Sequence, residues 1–403
     1  MSPAPDRLRY RWVVLAAATL TQMGTAFAFL GVGALAAHFR AEFDLDGART
    51  GLIVTAVALA PLFVMIPVGR MLDRRSETVI MTVGALLLAA GIVAASFASS
   101  YPLLLFILFC GGAGYATSQP GGSKVVAHWF EARQRGLAMG IRQTGLPLGG
   151  AAAAAVLPRL AGTHSLGVAL QVAAGVVAGA AVTFALVNRP HGVRGPRDRP
   201  RIRQDVGALL RVPAFRRLLA IGIVMVSAQL VIIVHLMSFL FDTKGIALVD
   251  GAWVLFAAQA AGVPGRIVLA RWSDRRSGGR TMPMAMALIV TSVAVLAIPA
   301  FGGSFAAWLF LGAATGFFAF GWYGPWVVAV AETGSPTSMG TTLAVAMTGN
   351  QLAIVFAPPL FGLIVDVTGT WTPAWVLLSL AVAAVALWVR RPLPHGQQAG
   401  PPS

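Results

Sequence analysis

The chain is predicted to be an all-α membrane protein of twelve transmembrane helices in two parallel six-helix repeats, and three observations carry that expectation. Of 403 residues, 57% are hydrophobic and only 11% charged. The apolar residues fall in blocks of about 20 with almost no charge, the length a helix needs to cross a bilayer. One short element also occurs twice: Gly69-Arg-Met-Leu-Asp-Arg-Arg-Ser76 returns 201 residues later as Ala270-Arg-Trp-Ser-Asp-Arg-Arg-Ser277, each copy closing one apolar stretch and opening another.

Charged residues mark the ends of the spans in order. The first, Trp12 to Ala37, follows Arg7, Arg9 and Arg11 and stops before Arg40; the second, Thr50 to Gly69, lies between Arg49 and the Arg70, Arg74, Arg75 group. Val79 to Ala98 and Pro102 to Val126 come next, then Lys124, Arg133 and Arg135 before Gly136 to Leu157; Arg159 separates that span from Leu166 to Val187. Nine Arg from Arg189 to Arg217 run up to and into the start of Ala214 to Phe241, and Lys244 precedes Gly251 to Ala270. Arg271 to Arg280 leads into Thr281 to Pro299, followed by Phe305 to Val330, Gly340 to Val365 and Trp371 to Val389, with Arg390 and Arg391 after the last. The expected division is 1–187 as one bundle, 188–213 as a basic linker broken by Pro190, Pro196, Pro200 and Pro213, 214–391 as a second bundle, and 392–403 as a disordered tail. The linker either faces anionic lipid headgroups or stays solvated as a topology-setting loop.

The net charge of +16 raises nucleic acid as a partner, but the distribution points elsewhere. With the N-terminus inside, the cytoplasmic segments hold 24 of the 30 Lys and Arg, and the outer segments hold Arg40, Arg49, Arg159 and Lys244. That asymmetry is the positive-inside signature and sets both termini in the cytoplasm. The first span is too long for a signal-peptide core and lacks a cleavage site, so it is expected to remain as an anchor. Cys110, the one cysteine, lies in an apolar span and is expected to serve packing.

The repeated element resembles the loop signature of the major facilitator transporters, a Gly, three residues, an Asp, then basic residues, between the second and third helices of each half. Gly69, Asp73, Arg74 and Arg75 carry it first; Asp274, Arg275 and Arg276 carry it again, with Ala270 in place of the second Gly and Ser76, Glu77 and Thr78 where the family usually has Gly and two basic residues. The resemblance implies a gating role, in which the Asp holds a helix end of the neighbouring half and releases it as the halves rock. A carboxylate at a helix terminus near mobile Arg residues makes a breakable latch. Trp129-Phe130, Arg133, Arg135-Gly136, Ala138 and Gly140 further resemble the fourth-to-fifth helix region of organic-anion porters such as the monocarboxylate and oxalate–formate transporters.

Two cations fall inside the spans. Arg142 lies seven residues beyond Arg135, and Arg266 lies five residues before Arg271, roughly 8 to 10 Å deep at about 1.5 Å per residue. An intramembrane Arg normally faces a cavity with a counter-charge, and none of the 14 Asp and Glu falls mid-span, so the missing carboxylate could be the cargo's. The alternative for each Arg is a structural residue bonded to helix-end carbonyls or snorkelling to the inner surface. Arg266, eight residues before Asp274, also stands where the resemblance puts the substrate-binding Arg of the eighth helix. Gln22, Tyr115, Gln119, Gln229, Gln259, Trp322, Tyr323, Asn350 and Gln351 are the polar residues expected to line the same cavity; Gln22 and Gln229 are near repeat equivalents, and Pro120 matches Pro325. Each could equally bond between helices. His235 is a candidate proton carrier or a satisfied structural His.

An enzyme would need a nucleophile and base or clustered metal ligands, and six scattered His offer neither; a channel would need a filter ring. No cofactor, metal or nucleic acid is expected. The expectation is a monomeric multi-pass transporter of the bacterial inner membrane, surrounded by membrane lipid. It would move a small organic anion, a mono- or dicarboxylate, by alternating access as symporter or antiporter. The alternative is a proton-coupled exporter of drugs or neutral solutes, which usually keeps membrane carboxylates.

Overall fold

The computed structural model describes residues 5–188, 202–275, 280–335 and 338–390. Every regular element among them is a helix. In chain order these are α1 (Pro5–Ala34), α2 (Ala36–Phe43), α3 (Gly47–Arg74), α4 (Glu77–Ala95), α5 (Tyr101–Tyr115), α6 (Ser118–Trp129), α7 (Ala132–Gln143), α8 (Gly145–Thr163) and α9 (Leu166–Val187). There follow α10 (Ile202–Arg211), α11 (Pro213–Lys244), α12 (Leu248–Arg275), α13 (Thr281–Ala300), α14 (Phe305–Gly321), α15 (Tyr323–Thr333), α16 (Met339–Thr368) and α17 (Thr372–Arg390). The tail expected at 392–403, most of the linker expected at 188–213, and Arg276 of the second repeated element lie outside the described residues.

Local chemistry sets the helix ends. Asp46, Ser165 and Ser304 each accept a backbone N–H three residues ahead, capping α3, α9 and α14. Pro213 opens α11 where its missing N–H costs nothing, and Gly245, at φ 64°, closes it in the left-handed region. Among the described residues eleven helical stretches are long and apolar enough to cross a membrane, with α5 and α6 forming one and α14 and α15 another. The fifth expected span is not among them. It is divided at Thr144 into α7 and α8, because Arg142, Gln143 and Thr144 put polar side chains at its middle. The two broken spans match across the repeat, since Pro120 and Pro325 each sit in the first turn of the second piece.

The contacts divide the chain into two compact units, residues 1–131, 141–202 and 336–348 in one, and 132–140, 203–335 and 349–403 in the other. In the first, α1 packs on α8 and α9, α3 on α5, and α4 on α5 and α9. In the second, α12 packs on α14, α13 on α17, and α11 on α12 and α17. The pairs α3 with α5 and α12 with α14 are equivalent in the repeat, and both are built on backbone contact: a Cβ at Gly112 would collide with Val57, and one at Gly316 with Ala258. Large apolar side chains such as Phe63, Phe97 and Phe310 are exposed, as a lipid-facing surface requires. Cys110 is exposed too, so it stands on an outer face and not in the packing expected for it.

Candidate functional site

In the first unit, Arg142 is bonded by Gln22, one of the polar residues expected near mid-span, and by Ser118 and Ser123. Its side chain is fully buried, and Nη2 donates to Gln22 Oε1 on α1 at 2.6 Å and to the Ser118 carbonyl on α6 at 2.6 Å. Nη1 donates to Ser123 Oγ at 3.4 Å. Room for the guanidinium exists because residue 122 is glycine: a Cβ there would collide with it. Gln22 also accepts from Ser118 Oγ at 3.3 Å, and Ser118 meets Thr25 Oγ1 at 3.1 Å. Gln22 Nε2 is buried with no hydrogen-bond partner. Gln119 accepts from Gln143 Nε2 at 3.0 Å, and Tyr115 stacks on Phe29 with ring centroids 4.1 Å apart.

In the second unit, Arg266 is 4% exposed and donates from Nε to the Phe320 carbonyl at 3.1 Å, at the end of α14. Just beyond that carbonyl the chain breaks between α14 and α15, and Trp322, Tyr323 and Trp326 form an aromatic cluster with centroids 5.2 to 5.4 Å apart. Trp326 Nε1 donates to the Leu218 carbonyl on α11, whereas Trp322 Nε1 is fully buried and has no partner. Asn350 joins this region from α16: its Oδ1 and the Trp326 ring both crowd the position a Cβ of Gly222 would take. Asn350 is 4% exposed, and neither its Nδ2 nor its Oδ1 has a hydrogen-bond partner. Gln229 on α11 and Gln351 on α16 are buried, and Gln259 on α12 is half-buried. His235 gives its Nε2 hydrogen to the Pro358 carbonyl at 2.9 Å and packs against Phe361 and Trp371, which is the bonding of a structural imidazole.

The two expected gating carboxylates each accept two successive backbone N–H groups of another helix, Asp73 at the first turn of α16 and Asp274 at the second turn of α7. Asp73, 1% exposed, accepts from Gly340 N at 2.7 Å, Thr341 N at 3.0 Å and Thr341 Oγ1 at 2.6 Å, at the first turn of α16. Gly69 of the same element abuts Gly340, which explains the glycine: a Cβ at residue 69 would collide with the residue 340 carbonyl. Asp274 accepts from Gly136 N at 3.0 Å and Leu137 N at 2.7 Å on α7. In this second copy the methyl of Ala270 is accommodated beside Gly140 and Gly324. Arg74, Arg75 and Arg275 are exposed. The cation that does engage a carboxylate is one not expected from the sequence: Arg280 Nη1 donates to Asp274 Oδ1 at 3.0 Å, while Nε and Nη2 grip Glu332 at 2.8 Å each and Nη2 also reaches the Ala132 carbonyl. Burial works against the charge of Arg280, but the bonds and charges of Glu332 and Asp274 outweigh it and raise its pKa. Its place six residues past Asp274 is visible in the sequence; its reach to Glu332, 52 residues on, is not.

Glu77 was read as a loop residue departing from the resemblance. It is 1% exposed, with His128 Nδ1 3.2 Å from its Oε1.

The sequence profile of the Major Facilitator Superfamily matches residues 14–358. An uncharacterized MFS-type transporter of Mycobacterium tuberculosis is 28% identical over 404 residues, spanning 98% of this chain and 88% of that protein. A probable sulfoacetate transporter of Cupriavidus necator is 25% identical over 146 residues, 36% of this chain and 34% of that protein. Among solved structures, the E. coli fucose:proton symporter aligns with a TM-score of 0.77 at 18% identity, covering 94% of this chain and 98% of that one. A human organic anion transporter aligns at 0.78 and 18%, covering 96% and 100%.

Proposed function

The chain belongs to the Major Facilitator Superfamily of membrane transporters, and on that premise we propose that it carries a small organic anion, a mono- or dicarboxylate or a chemically similar acid, across the bacterial inner membrane by alternating access. The observation that carries this reading is the arrangement around Arg266. A buried guanidinium bonds the Phe320 carbonyl, just before the aromatic cluster of Trp322, Tyr323 and Trp326, and Trp322 Nε1, Asn350 Nδ2 and Asn350 Oδ1 are three of the buried polar atoms of the same unit that have no partner. Leaving such atoms unbonded costs about 1–3 kcal/mol each, so a site that keeps them is built for something that bonds them. A carboxylate or sulfonate accepts from a guanidinium, an indole N–H and an amide N–H together, while the aromatic rings flank an apolar body. The partial likeness to a probable sulfoacetate transporter points to the same chemical class.

Arg142 has a different part in this reading. Its bonds to Gln22, Ser118 and Ser123 tie α1, α6 and α7 together, so it supports the cargo path by holding those helices. The α7–α8 pair is the twelfth crossing, both termini lie in the cytoplasm, and the Asp73 cap and the Asp274 clasp set which way the protein faces. Transport proceeds by anion exchange or facilitated diffusion, with proton symport, carried by His235 or the cargo's own carboxyl, as the alternative.

The test is a ligand-induced thermal shift of the purified protein across carboxylates, aromatic acids, sulfonates and neutral drugs, followed by counterflow in proteoliposomes with the acids that shift it. Stabilisation by acids and counterflow of the same acids are the expected results. Uptake of neutral or cationic drugs that no carboxylate competes with would overturn the reading in favour of a drug exporter.

A further inference from the structure

Glu77 opens α4, where a carboxylate suits the helix N-terminus, yet it is 1% exposed and neither oxygen accepts a hydrogen bond of good geometry. An ionised carboxylate in that position is costly unless a cation faces it. Two side chains of α6 can supply one. His128 Nδ1 lies 3.2 Å from Glu77 Oε1, and the His128 side chain keeps 35% of its surface exposed, so protons from water reach it. Lys124, one turn earlier and 5% exposed, gives its ammonium to the Leu72 carbonyl, the residue before Asp73. Lys124 therefore connects the Glu77 site to the end of α3, whose next residue caps α16.

Other charged groups lie on the elements packed against the pair, and Glu131, exposed, follows the end of α6. From α3 come Asp73, committed to Gly340 and Thr341, the partly buried Arg70, and Arg74 and Arg75, which are exposed. From α1 come Arg9, exposed, and Arg11, whose guanidinium lies over the rings of Trp12 and Phe130. The end of α9 brings neutral Asn188, held by Thr78 and Trp129.

We propose that Glu77 and His128 form a proton-binding site that controls how firmly the end of α3 holds α16. The step is one proton added from water to the neutral imidazole, with no other bond made or broken. With the proton, His128 faces Glu77 as an ion pair, and Lys124 stays on the Leu72 carbonyl, fixing the last turn of α3 and the Asp73 cap. Without it, Lys124 is the remaining cation for the buried carboxylate and is drawn off Leu72, so the cap weakens. The ion pair exists only while His128 carries the proton, so adding the proton strengthens the cap and removing it weakens the cap. The proposal is independent of the cargo.

Amide hydrogen exchange tests it on the full chain in lipid nanodiscs, at about pH 6 and about pH 8, corrected for the intrinsic pH dependence of exchange. The peptide containing Gly340 to Leu343 should exchange about two- to fivefold more slowly at the lower pH, the range a partly exposed ion pair supports. His128→Gln should lose the difference and exchange at the faster rate at both pH values. His128→Lys, a permanent cation, should exchange slowly at both, and Glu77→Gln should show no pH difference. If Glu77→Gln fails to fold, the two His128 variants decide the matter. A purely structural role for His128 shifts both rates together and keeps the pH difference, and that result in His128→Gln would overturn the proposal.

Discussion

Asp73 and Thr341 are joined twice: Asp73 Oδ2 accepts from the Thr341 backbone N–H at 3.0 Å and from its hydroxyl at 2.6 Å, although 268 residues separate them in the chain. Gly340 N completes the cap at 2.7 Å on Oδ1. The carboxylate thus meets the positive end of α16 with every lone-pair direction that the first turn can use. Asp274 likewise takes two successive backbone N–H groups, those of Gly136 and Leu137, but in the second turn of α7, so the repeated sequence element yields a repeated carboxylate-to-backbone clasp at different depths of the two helices.

Replacing Asp73 with Asn removes the charge and one acceptor while keeping the shape. A buried charged cap of this kind is worth about 1–2 kcal/mol, so the melting temperature should fall by a few degrees. Under the proposed gating role, ligand affinity should stay within a few fold and counterflow should slow, because a group that biases conformational populations leaves the contacts to cargo unchanged. The same is expected of Asp274→Asn. A collapse of affinity in Asp274→Asn, read by ligand-induced thermal shift, would place that residue in the binding site.

Arg266→Gln should abolish acid binding with little change in melting temperature, since the shorter amide can still reach toward the Phe320 carbonyl. Arg266→Lys should rescue poorly, because an ammonium lacks the planar fork that takes two carboxylate oxygens. Normal counterflow by Arg266→Gln, or failure only through unfolding, would make the residue structural.

Much of this was legible in the sequence, and the part that was not has a physical reason. Span positions follow from hydropathy, which is local, so the apolar blocks and the repeat predict the all-helical fold. The resemblance singles out Asp73 and Asp274, and each binds backbone N–H groups, Asp73 at the start of α16 and Asp274 one turn into α7. The break of the fifth span at Thr144 was not foreseen, because Arg142 was weighed as a ligand and not as the polar insertion that divides a helix. Glu77 was missed for a related reason. One residue past a loop, its burial depends on His128 and Lys124, which approach from another helix and leave no local signature.

Arg142→Ala should behave unlike Arg266→Gln. It would strand Gln22 Oε1, the Ser118 carbonyl and Ser123 without their cationic donor, at about 1–3 kcal/mol for each acceptor left unsatisfied, so loss of folded protein is the expected outcome. Gly122→Ala should be destabilising through the same group, because the new methyl occupies the guanidinium's place. Size-exclusion profiles and melting curves of the two variants check this. A well-folded Arg142→Ala that has lost only acid binding would return Arg142 to the cargo site.

Trp322 gives the sharpest separation between a structural and a cargo-binding role. Its indole N–H is fully buried and bonds nothing, so Trp322→Phe deletes an unsatisfied donor while keeping most of the ring that packs on Tyr323 and Trp326. Removing an unpaired buried donor relieves its desolvation cost, so without ligand the variant should melt at the same temperature or slightly higher, offset only by the smaller ring. If the N–H is kept for the cargo, acid affinity should fall by about ten- to a hundredfold, the value of one hydrogen bond to a charged acceptor at roughly 1.5–3 kcal/mol. Asn350→Leu, which removes both unpaired amide atoms at similar volume, should show the same opposition of retained stability and weakened binding. Melting curves with and without the acid report both quantities in one experiment. Unchanged affinity in both variants would mean that these atoms are unsatisfied for some reason other than the cargo, and would leave Arg266 as the sole residue holding the anion reading.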